Sequence, residues 1–179
     1  MAFIHLNSYT SSKKGSRQYR FLKKALQSID RDMTPWVFVT AHCPLYNPFT
    51  KHENETQALM MKDAMESLFI EYGVNVVFSG HAHAFSRSKN VAMDDVSTLS
   101  GPIYIITGDS GRKPKSAPYQ SPLPEHWLES IDNENNSIGT VEMINATHAW
   151  WHRIITTTGI LWEEAIIVNQ YHVTAPLSS

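Results

Sequence analysis

The sequence predicts an α/β fold in which a parallel βαβαβ unit is followed by an antiparallel β-meander. Two apolar runs, at 36–41 and 74–79, have the length and composition of buried strands, and an amphipathic helix is predicted between them. A strand–helix–strand unit with short connections is right-handed, so these two strands should lie parallel in one sheet. Three alternating segments near the end, at 140–144, 149–156 and 162–168, indicate the meander.

The opening of the chain supplies the first strand and the first helix of this unit. Residues 2–6 have the composition of a short strand. Ser16 precedes a predicted helix in which Leu22, Leu26 and Ile29 recur at helical spacing, so one face of this helix should be buried.

The crossover helix between the two apolar runs is predicted over 56–72. Met61, Met65 and Phe69 form its apolar stripe. Gly73 lies where a left-handed C-cap residue is expected, so the helix should end just before it.

The remaining segments predict loops around one further strand. The stretches 43–55, 86–100 and 112–137 are polar and are interpreted as loops. Residues 103–106 have the composition of a strand, and the glycines of 108–111 indicate a turn after it, in which Asp109 needs no other role.

Composition narrows the classes of partner. The chain has 179 residues, 42% of them hydrophobic, which suits one domain with a sizeable core. A net charge of -2 without a basic stripe argues against nucleic acid, and no apolar run reaches the ~20 residues of a membrane span.

The single cysteine, Cys43, excludes an intrachain disulfide. No signal peptide is recognisable, and three N-glycosylation sequons begin at Asn54, Asn135 and Asn145.

Histidines follow both apolar runs at the point where each predicted strand ends. His42 comes directly after 36–41, and Gly80-His81-Ala82-His83 follows 74–79. Neutral imidazole is the commonest metal ligand in proteins. Because the carboxyl ends of parallel strands meet at one edge of a sheet, where ligands bind in open α/β folds, these three histidines should converge. The sequence therefore predicts a metal site at this edge.

Four short motifs occur in an order that is specific in combination. They read His-x-Pro-x-Tyr-Asn at 42–47, Gly-His-x-His at 80–83, Tyr-Ile-x-x-Gly-Asp at 104–109 and Asn-x-Thr-His at 145–148. From about residue 3 to about residue 171 the chain resembles the later half of purple-acid-phosphatase-type metallophosphoesterases, in the calcineurin-like phosphoesterase superfamily. The resemblance implies a four-layer α/β/β/α sandwich that hydrolyses small phosphomonoesters at a binuclear centre of Fe³⁺ with Zn²⁺, Mn²⁺ or Fe²⁺.

The resemblance also implies roles for particular histidines. His42 and His81 match the ligands of the divalent ion, and His83 matches the histidine on the ferric ion. His52, ten residues after His42, matches a histidine that contacts the phosphate and assists the leaving group, which suits a side chain able to donate a proton near its own pKa. A secreted or vacuolar/lysosomal location is implied as well.

This chain departs from the family pattern in two places. The motif that often continues Tyr-Glu-Arg after Gly-His-x-His-x reads Phe85-Ser86-Arg87 here. The family's earlier motifs, a first Asp, a Gly-Asp-x-x-Tyr and a Gly-Asn-His, are absent. Residues 1–179 are therefore expected to form the C-terminal portion of one catalytic domain that holds at most one metal ion and is inactive alone. The strand at 2–6 would then be an exposed edge through which copies self-associate.

Two other functions remain open at this point. The Gly-His-x-His motif also occurs in metallophosphoesterases that act on phosphodiesters or pyrophosphates. A non-catalytic metal-binding domain is the alternative from another class, since three histidines and a water complete a tetrahedral zinc site.

Cys43 is either a thiolate ligand or a small buried side chain, with burial favoured. His148, Trp150 and His152 alternate along one strand and are predicted to form a packed sheet face.

Overall fold

The computed structural model describes residues 1–96, 100–111, 113, 115, 117–119 and 126–171. The parts of the loops predicted at 86–100 and 112–137 that fall between these ranges lie outside the described residues. In chain order the elements are β1 (Ala2–Leu6), α1 (Arg17–Gln27), β2 (Val37–Ala41), α2 (Thr56–Glu71), β3 (Val76–Ser79), β4 (Phe85–Ala92), β5 (Asp95–Val96), β6 (Ile103–Thr107), β7 (Leu128–Asp132), β8 (Ser137–Met143), β9 (His148–Ile155) and β10 (Leu161–Val168).

The larger sheet confirms the predicted parallel unit. Strands β1, β2, β3 and β6 lie side by side and parallel, and β4 then pairs antiparallel with β6. Strand β4 also pairs antiparallel with β7 and, near its end, with β5. Thr40 lies opposite Phe78 in the β2–β3 register, so the carboxyl ends of both strands reach the same edge.

Both helices begin where the sequence predicts, whereas α1 ends at Gln27, before Ile29 of its predicted stripe. The Ser16 hydroxyl caps α1 by accepting a hydrogen bond from the Tyr19 N–H at 3.1 Å, and Leu22 and Leu26 are buried. Helix α2 ends just before Gly73, which adopts a φ of 61°. Neither helix among the described residues is both long and apolar enough to span a membrane.

The core has one layer on each face of the larger sheet. On one face, β2 residues such as Val37 and Val39 pack with the apolar stripes of α1 and α2. On the other face, Phe38 packs in a cluster with Phe85 and with Trp151 of the three-stranded antiparallel sheet β10-β9-β8. The architecture is mixed α/β with a parallel sheet and further antiparallel strands, as predicted. The described residues supply three layers, helices, sheet and sheet, of the expected four-layer sandwich.

The prediction of a loop over 86–100 is wrong for most of its length. Residues 85–92 form β4, which lies between β6 and β7 in the interior of the sheet. Ser86 and Ser88 are buried there, and the Ser88 hydroxyl accepts a hydrogen bond from the Tyr104 N–H at 2.8 Å. Small polar side chains with hydrogen-bond partners are therefore tolerated in this strand. The polar composition of the segment led to the prediction of a loop. Strand β7 likewise lies within the predicted loop 112–137.

The prediction of a packed face for His148, Trp150 and His152 also needs correction. The fully buried residues of β9 are the alternate ones, including Ala149 and Trp151, and the predicted set is half-buried on the opposite face. Trp150 and His152 contact each other there, with ring centroids 4.3 Å apart.

Asp109 has a structural role that the sequence did not indicate. It is buried, and its Oδ2 lies 3.0 Å from Nη2 of Arg153, which also lies 2.9 Å from Oδ2 of Asp132. The Ser137 hydroxyl bonds to Asp109 and accepts from Arg153 Nε. Arg153 and Ser137 lie in the smaller sheet and Asp132 in the larger one, so this ion-pair cluster joins the two sheets.

Replacing Arg153 by methionine should destabilise the fold strongly. The change leaves the carboxylates of Asp109 and Asp132 buried without their cation, and breaking one side of a buried ion pair costs about 3–5 kcal/mol. Urea denaturation measures the loss. Lys115→Met is the matched control, because the Lys115–Glu134 pair is exposed and should contribute at most about 1 kcal/mol. Equal losses in the two variants would contradict a structural role for the cluster.

Candidate metal centre

His42 and His81 meet at the carboxyl edge of the larger sheet. His42 follows β2 directly, and His81 follows β3 after one glycine. Nδ1 of His81 lies 3.0 Å from Nε2 of His42, and the ring centroids are 4.7 Å apart. The Gly80 N–H donates to the His42 carbonyl at 3.2 Å, which holds the two strand ends together. The predicted meeting of these two histidines is observed, and their role as metal ligands stays a prediction.

The turn that presents His81 has its left-handed residue at the histidine and not at the preceding glycine. His81 itself adopts a left-handed φ of 61°, whereas Gly80 does not. A Cβ at Gly80 would meet no atom within 4 Å, but a Cβ at Gly108 would lie 2.0 Å from the Ala82 carbonyl oxygen. Gly108 on the neighbouring strand end is therefore the glycine that the histidine loop requires. The left-handed backbone of a non-glycine residue is strain of the kind that concentrates at functional sites.

Glu55 is the central residue of the cluster, and sequence reasoning missed it. One carboxylate oxygen, Oε2, lies 2.9 Å from Nε2 of His81, and the other, Oε1, lies 2.7 Å from Nδ1 of His52. Glu55 occupies the N-cap position of α2 but makes no side-chain cap hydrogen bond. Glutamate is not a preferred N-cap residue. Its position directly before a predicted helix was therefore the one sequence feature that could have indicated another role for Glu55.

His52 lies beside His81. Their ring centroids are 3.9 Å apart, and His52 also has a left-handed φ, of 65°. His52 lines a cavity of about 150 Å³ together with Tyr46, Lys62 and Trp127. This cavity opens directly next to the histidine cluster.

His83 and Cys43 are the two remaining ligand candidates from the sequence. His83 is half-buried in the loop between β3 and β4, two residues beyond His81. Cys43 is buried, as favoured from the sequence. Its Sγ nevertheless lies 3.9 Å from Oε2 of Glu55 and 3.7 Å from Nε2 of Gln57, so its surroundings are polar.

The electrostatics of the cluster follow from these contacts. Burial acts to raise the pKa of Glu55, but hydrogen bonds from His52 and His81 outweigh it, and the pKa lies below its ordinary value. The pKa of His42 is lowered, first by burial and then by the neighbouring imidazole of His81. At neutral pH the cluster thus presents an anionic carboxylate and a neutral imidazole, the states in which both groups bind cations.

The donor set fits one divalent ion and lacks what a second ion needs. Among the described residues one cluster has the spacing of metal ligands, Cys43, Glu55 and His81, and it contains a single carboxylate. Nitrogen, oxygen and sulfur donors in combination suit a zinc-class ion. Two ions about 3.5–4 Å apart would require further oxygen ligands to offset their repulsion.

A buried carboxylate anchors the loop that carries this cluster. Glu66 of α2 accepts hydrogen bonds from the hydroxyl of Tyr46 at 2.6 Å and the hydroxyl of Tyr104 at 3.2 Å. The Tyr46 oxygen in turn accepts from the Asp94 N–H at 3.0 Å. Burial, and then the bond to Glu66, raises the pKa of Tyr46 well above its ordinary value. Tyr46 of the 42–47 motif thereby ties the histidine-bearing loop to α2.

Replacing Tyr46 by phenylalanine should destabilise the protein by about 1–3 kcal/mol. The change removes one donor to buried Glu66 and the acceptor of the Asp94 N–H, and unsatisfied buried polar groups carry that cost. Tyr72→Phe is the matched control, since its hydroxyl accepts a bond from surface residue Gln27 and should matter by less than about 0.5 kcal/mol. Urea denaturation of both variants compares them, and equal stabilities would refute the anchoring role.

The fold and the histidine cluster agree with the resemblance to metallophosphoesterases, and comparisons with known proteins support it. A family model described as calcineurin-like phosphoesterase matches residues 3–85. Probable purple acid phosphatase 20 of Arabidopsis thaliana is 39% identical over 153 residues, covering 84% of this chain and 35% of the relative. Fe(3+)-Zn(2+) purple acid phosphatase 12 of the same plant is 30% identical over 180 residues, covering 94% of this chain and 38% of the relative.

A solved structure agrees at the level of the fold. Purple acid phosphatase PPD1 from yellow lupin (Lupinus luteus) seeds superposes with a TM-score of 0.84 at 20% identity, covering 99% of this chain and 34% of that one. Residues 3–85 of the chain are thus similar to calcineurin-like phosphoesterases, and the curated relatives described above are purple acid phosphatases. The chain spans 35–38% of the length of these two relatives.

Proposed function

We propose that this chain forms part of a catalytic domain that hydrolyses phosphomonoesters with metal ions, as an acid phosphatase. The observation that carries the proposal is the approach of His42 and His81 to 3.0 Å at the carboxyl edge of a parallel sheet. The purple acid phosphatase relatives support the reaction class. Small phosphomonoesters are the proposed substrates.

The proposed metals are Fe³⁺ together with Zn²⁺, Mn²⁺ or Fe²⁺. The name of one relative supports this pair, since it specifies Fe(3+) and Zn(2+). His42 and His81 are the proposed ligands of the divalent ion, and His83 is the proposed ligand of the ferric ion. Such ions polarise phosphoryl oxygens and lower the pKa of water. Oxygen ligands from outside these 179 residues would have to complete the second site.

His52 is the proposed proton donor to the leaving oxygen. Glu55 Oε1 lies 2.7 Å from its Nδ1, so the carboxylate accepts a hydrogen bond from the Nδ1–H of the imidazolium and orients the ring. Nε2 is then free to deliver a proton toward the 150 Å³ cavity that His52 lines. Lys62 and Trp127 lie on the wall of the same cavity and would face the alcohol portion of a substrate.

A secreted or vacuolar/lysosomal location is part of this proposal. Two of the three sequon asparagines, Asn54 and Asn145, are exposed, whereas the amide of Asn135 donates to Asp132 at 3.0 Å. Glycans at the two exposed asparagines would be consistent with passage through the secretory pathway. Expression in a secretory host followed by endoglycosidase treatment tests this, and an unchanged mass would count against it.

A chimera tests the proposed activity. The aligned 84% of this chain replaces the matching 153-residue segment of the Arabidopsis relative that is 39% identical to it. The chimera should bind two metal ions and hydrolyse p-nitrophenyl phosphate, and His81→Ala should abolish the hydrolysis. His126→Ala is the matched control, because His126 is exposed. A folded chimera with two metals and no monoesterase activity would overturn the proposal, and a preference for bis-p-nitrophenyl phosphate would indicate a phosphodiesterase.

A further inference from the structure

We propose that this chain by itself holds one zinc-class ion between Cys43 Sγ, Glu55 Oε2 and His81 Nε2. These three atoms all lie within 4.8 Å of one another, with 2.9 Å between the glutamate oxygen and the imidazole nitrogen and 3.9 Å between that oxygen and the sulfur. The inference does not depend on the proposed phosphatase activity.

The spacing suits a tetrahedral ion. Zinc binds sulfur at about 2.3 Å and imidazole nitrogen or carboxylate oxygen at about 2.0–2.2 Å, so its ligand atoms lie roughly 3–4 Å from one another. The three donor atoms of this cluster already approach that separation. Small side-chain movements would complete the coordination, and the fourth position would face the side on which Glu55 and His81 keep 24% and 16% of their side-chain surface exposed.

The surroundings of Cys43 favour a ligand over a simple core residue. A cysteine that only fills space would be surrounded by apolar atoms. The Cys43 sulfur instead lies 3.8 Å from the Tyr9 hydroxyl and accepts a bond from Gln57 Nε2 at 3.7 Å, and that amide also donates to Glu55 at 2.5 Å. The sulfur therefore lies among polar atoms that include the proposed oxygen ligand, Oε2 of Glu55.

His42 would act on this ion through His81. The proposed ion lies at Nε2 of His81, and Nδ1 on the other side of the same ring lies 3.0 Å from Nε2 of His42. Histidine ligands usually donate their second ring N–H to a partner that fixes the tautomer and the ring orientation. In this arrangement His42 is a positioning residue, whereas in the proposed binuclear centre it is a ligand.

Cobalt(II) titration of the reduced 179-residue chain tests the proposal. Because Cys43 is the only cysteine, a sulfur-to-cobalt charge-transfer band in the near ultraviolet can arise only from that residue. One equivalent of cobalt should produce this band together with the visible bands of a tetrahedral ion, and zinc should displace it. Absence of cobalt binding, or binding without the charge-transfer band, would overturn the proposal.

Variants separate the three ligands from the positioning residue. Cys43→Ser should remove the charge-transfer band, and Cys43→Ser, Glu55→Gln and His81→Ala should each weaken binding by about 100-fold or more, beyond the 10–100-fold typical of outer partners. His42→Ala should weaken binding by about 10–100-fold and keep the band. Glu53→Gln and His126→Ala are exposed controls that should change nothing. Circular dichroism checks the fold of each variant, and unchanged affinity in a folded Cys43→Ser protein would refute the site.

Discussion

The 179-residue chain on its own is expected to hydrolyse no p-nitrophenyl phosphate above the rate of the free metal ions in buffer. The reason is electrostatic. Among the described residues, the cluster with the spacing of metal ligands contains one carboxylate, Glu55, with the imidazoles around it. These groups can hold one divalent ion, but they do not offset the repulsion of a ferric ion about 3.5–4 Å away. Without the second ion, one of the two metal contacts to the phosphate is missing.

Metal analysis and a phosphatase assay on the same purified sample check this expectation. The metal content should be at most one ion per chain, and the chimera assayed in parallel provides the active control. Self-association should accompany the inactivity, because β1 pairs with β2 on one side and the described residues place no strand on its other side. Phe3 of this strand is also 52% exposed. Two tightly bound ions with measurable turnover, in a preparation free of other phosphatases, would contradict the prediction.

Replacing His52 by alanine in the chimera should lower kcat and kcat/KM together by roughly 10²–10⁴-fold. The imidazole is held against Glu55 at 2.7 Å and lines the cavity beside the cluster. A proton donor acts mainly in the transition state, so its removal affects turnover more than ground-state binding. Alkyl phosphates, which have poor leaving groups, should lose more activity than p-nitrophenyl phosphate.

Two further variants sharpen the interpretation of His52. Glu55→Gln keeps a hydrogen-bond acceptor that orients the ring through Nδ1 but removes the carboxylate charge, so it should retain more activity than His52→Ala. His126→Ala, at an exposed position, should leave both kinetic parameters unchanged. If His52→Ala turns over an alkyl phosphate at the unmodified rate, His52 is only a polar residue of the loop.

The sequence allowed the frame of the candidate site to be predicted. Two apolar runs separated by a helix imply parallel strands, and parallel strands end at one edge, so His42 and His81 had to be neighbours. This argument needs only chain direction and handedness, which the pattern of apolar residues encodes locally. The caps at Ser16 and Gly73 were predictable for the same reason, since capping depends on residues within one turn of the helix end.

Other features depend on contacts between residues far apart in the chain. Strand β4 is polar in composition, and it is a strand because β6 and β7 satisfy its backbone from both sides. Asp109 sits in a glycine-rich turn, and it is buried because Arg153, 44 positions later, neutralises it. The strands that pair with β4 and the arginine that pairs with Asp109 cannot be identified from the residues next to them in the sequence.

By itself, the sequence determined the order of the two helices and the parallel strands, the histidine motifs and the edge of the sheet at which they meet, because periodicity and chain direction are local properties. Only the tertiary structure decided which side chains complete the site. Glu55 lies 26 positions from His81 in sequence and 2.9 Å from it in space, and Cys43 joins the same cluster. A carboxylate in a polar loop can adopt many conformations that expose it to water. It becomes part of a site only when the fold brings it against particular imidazoles.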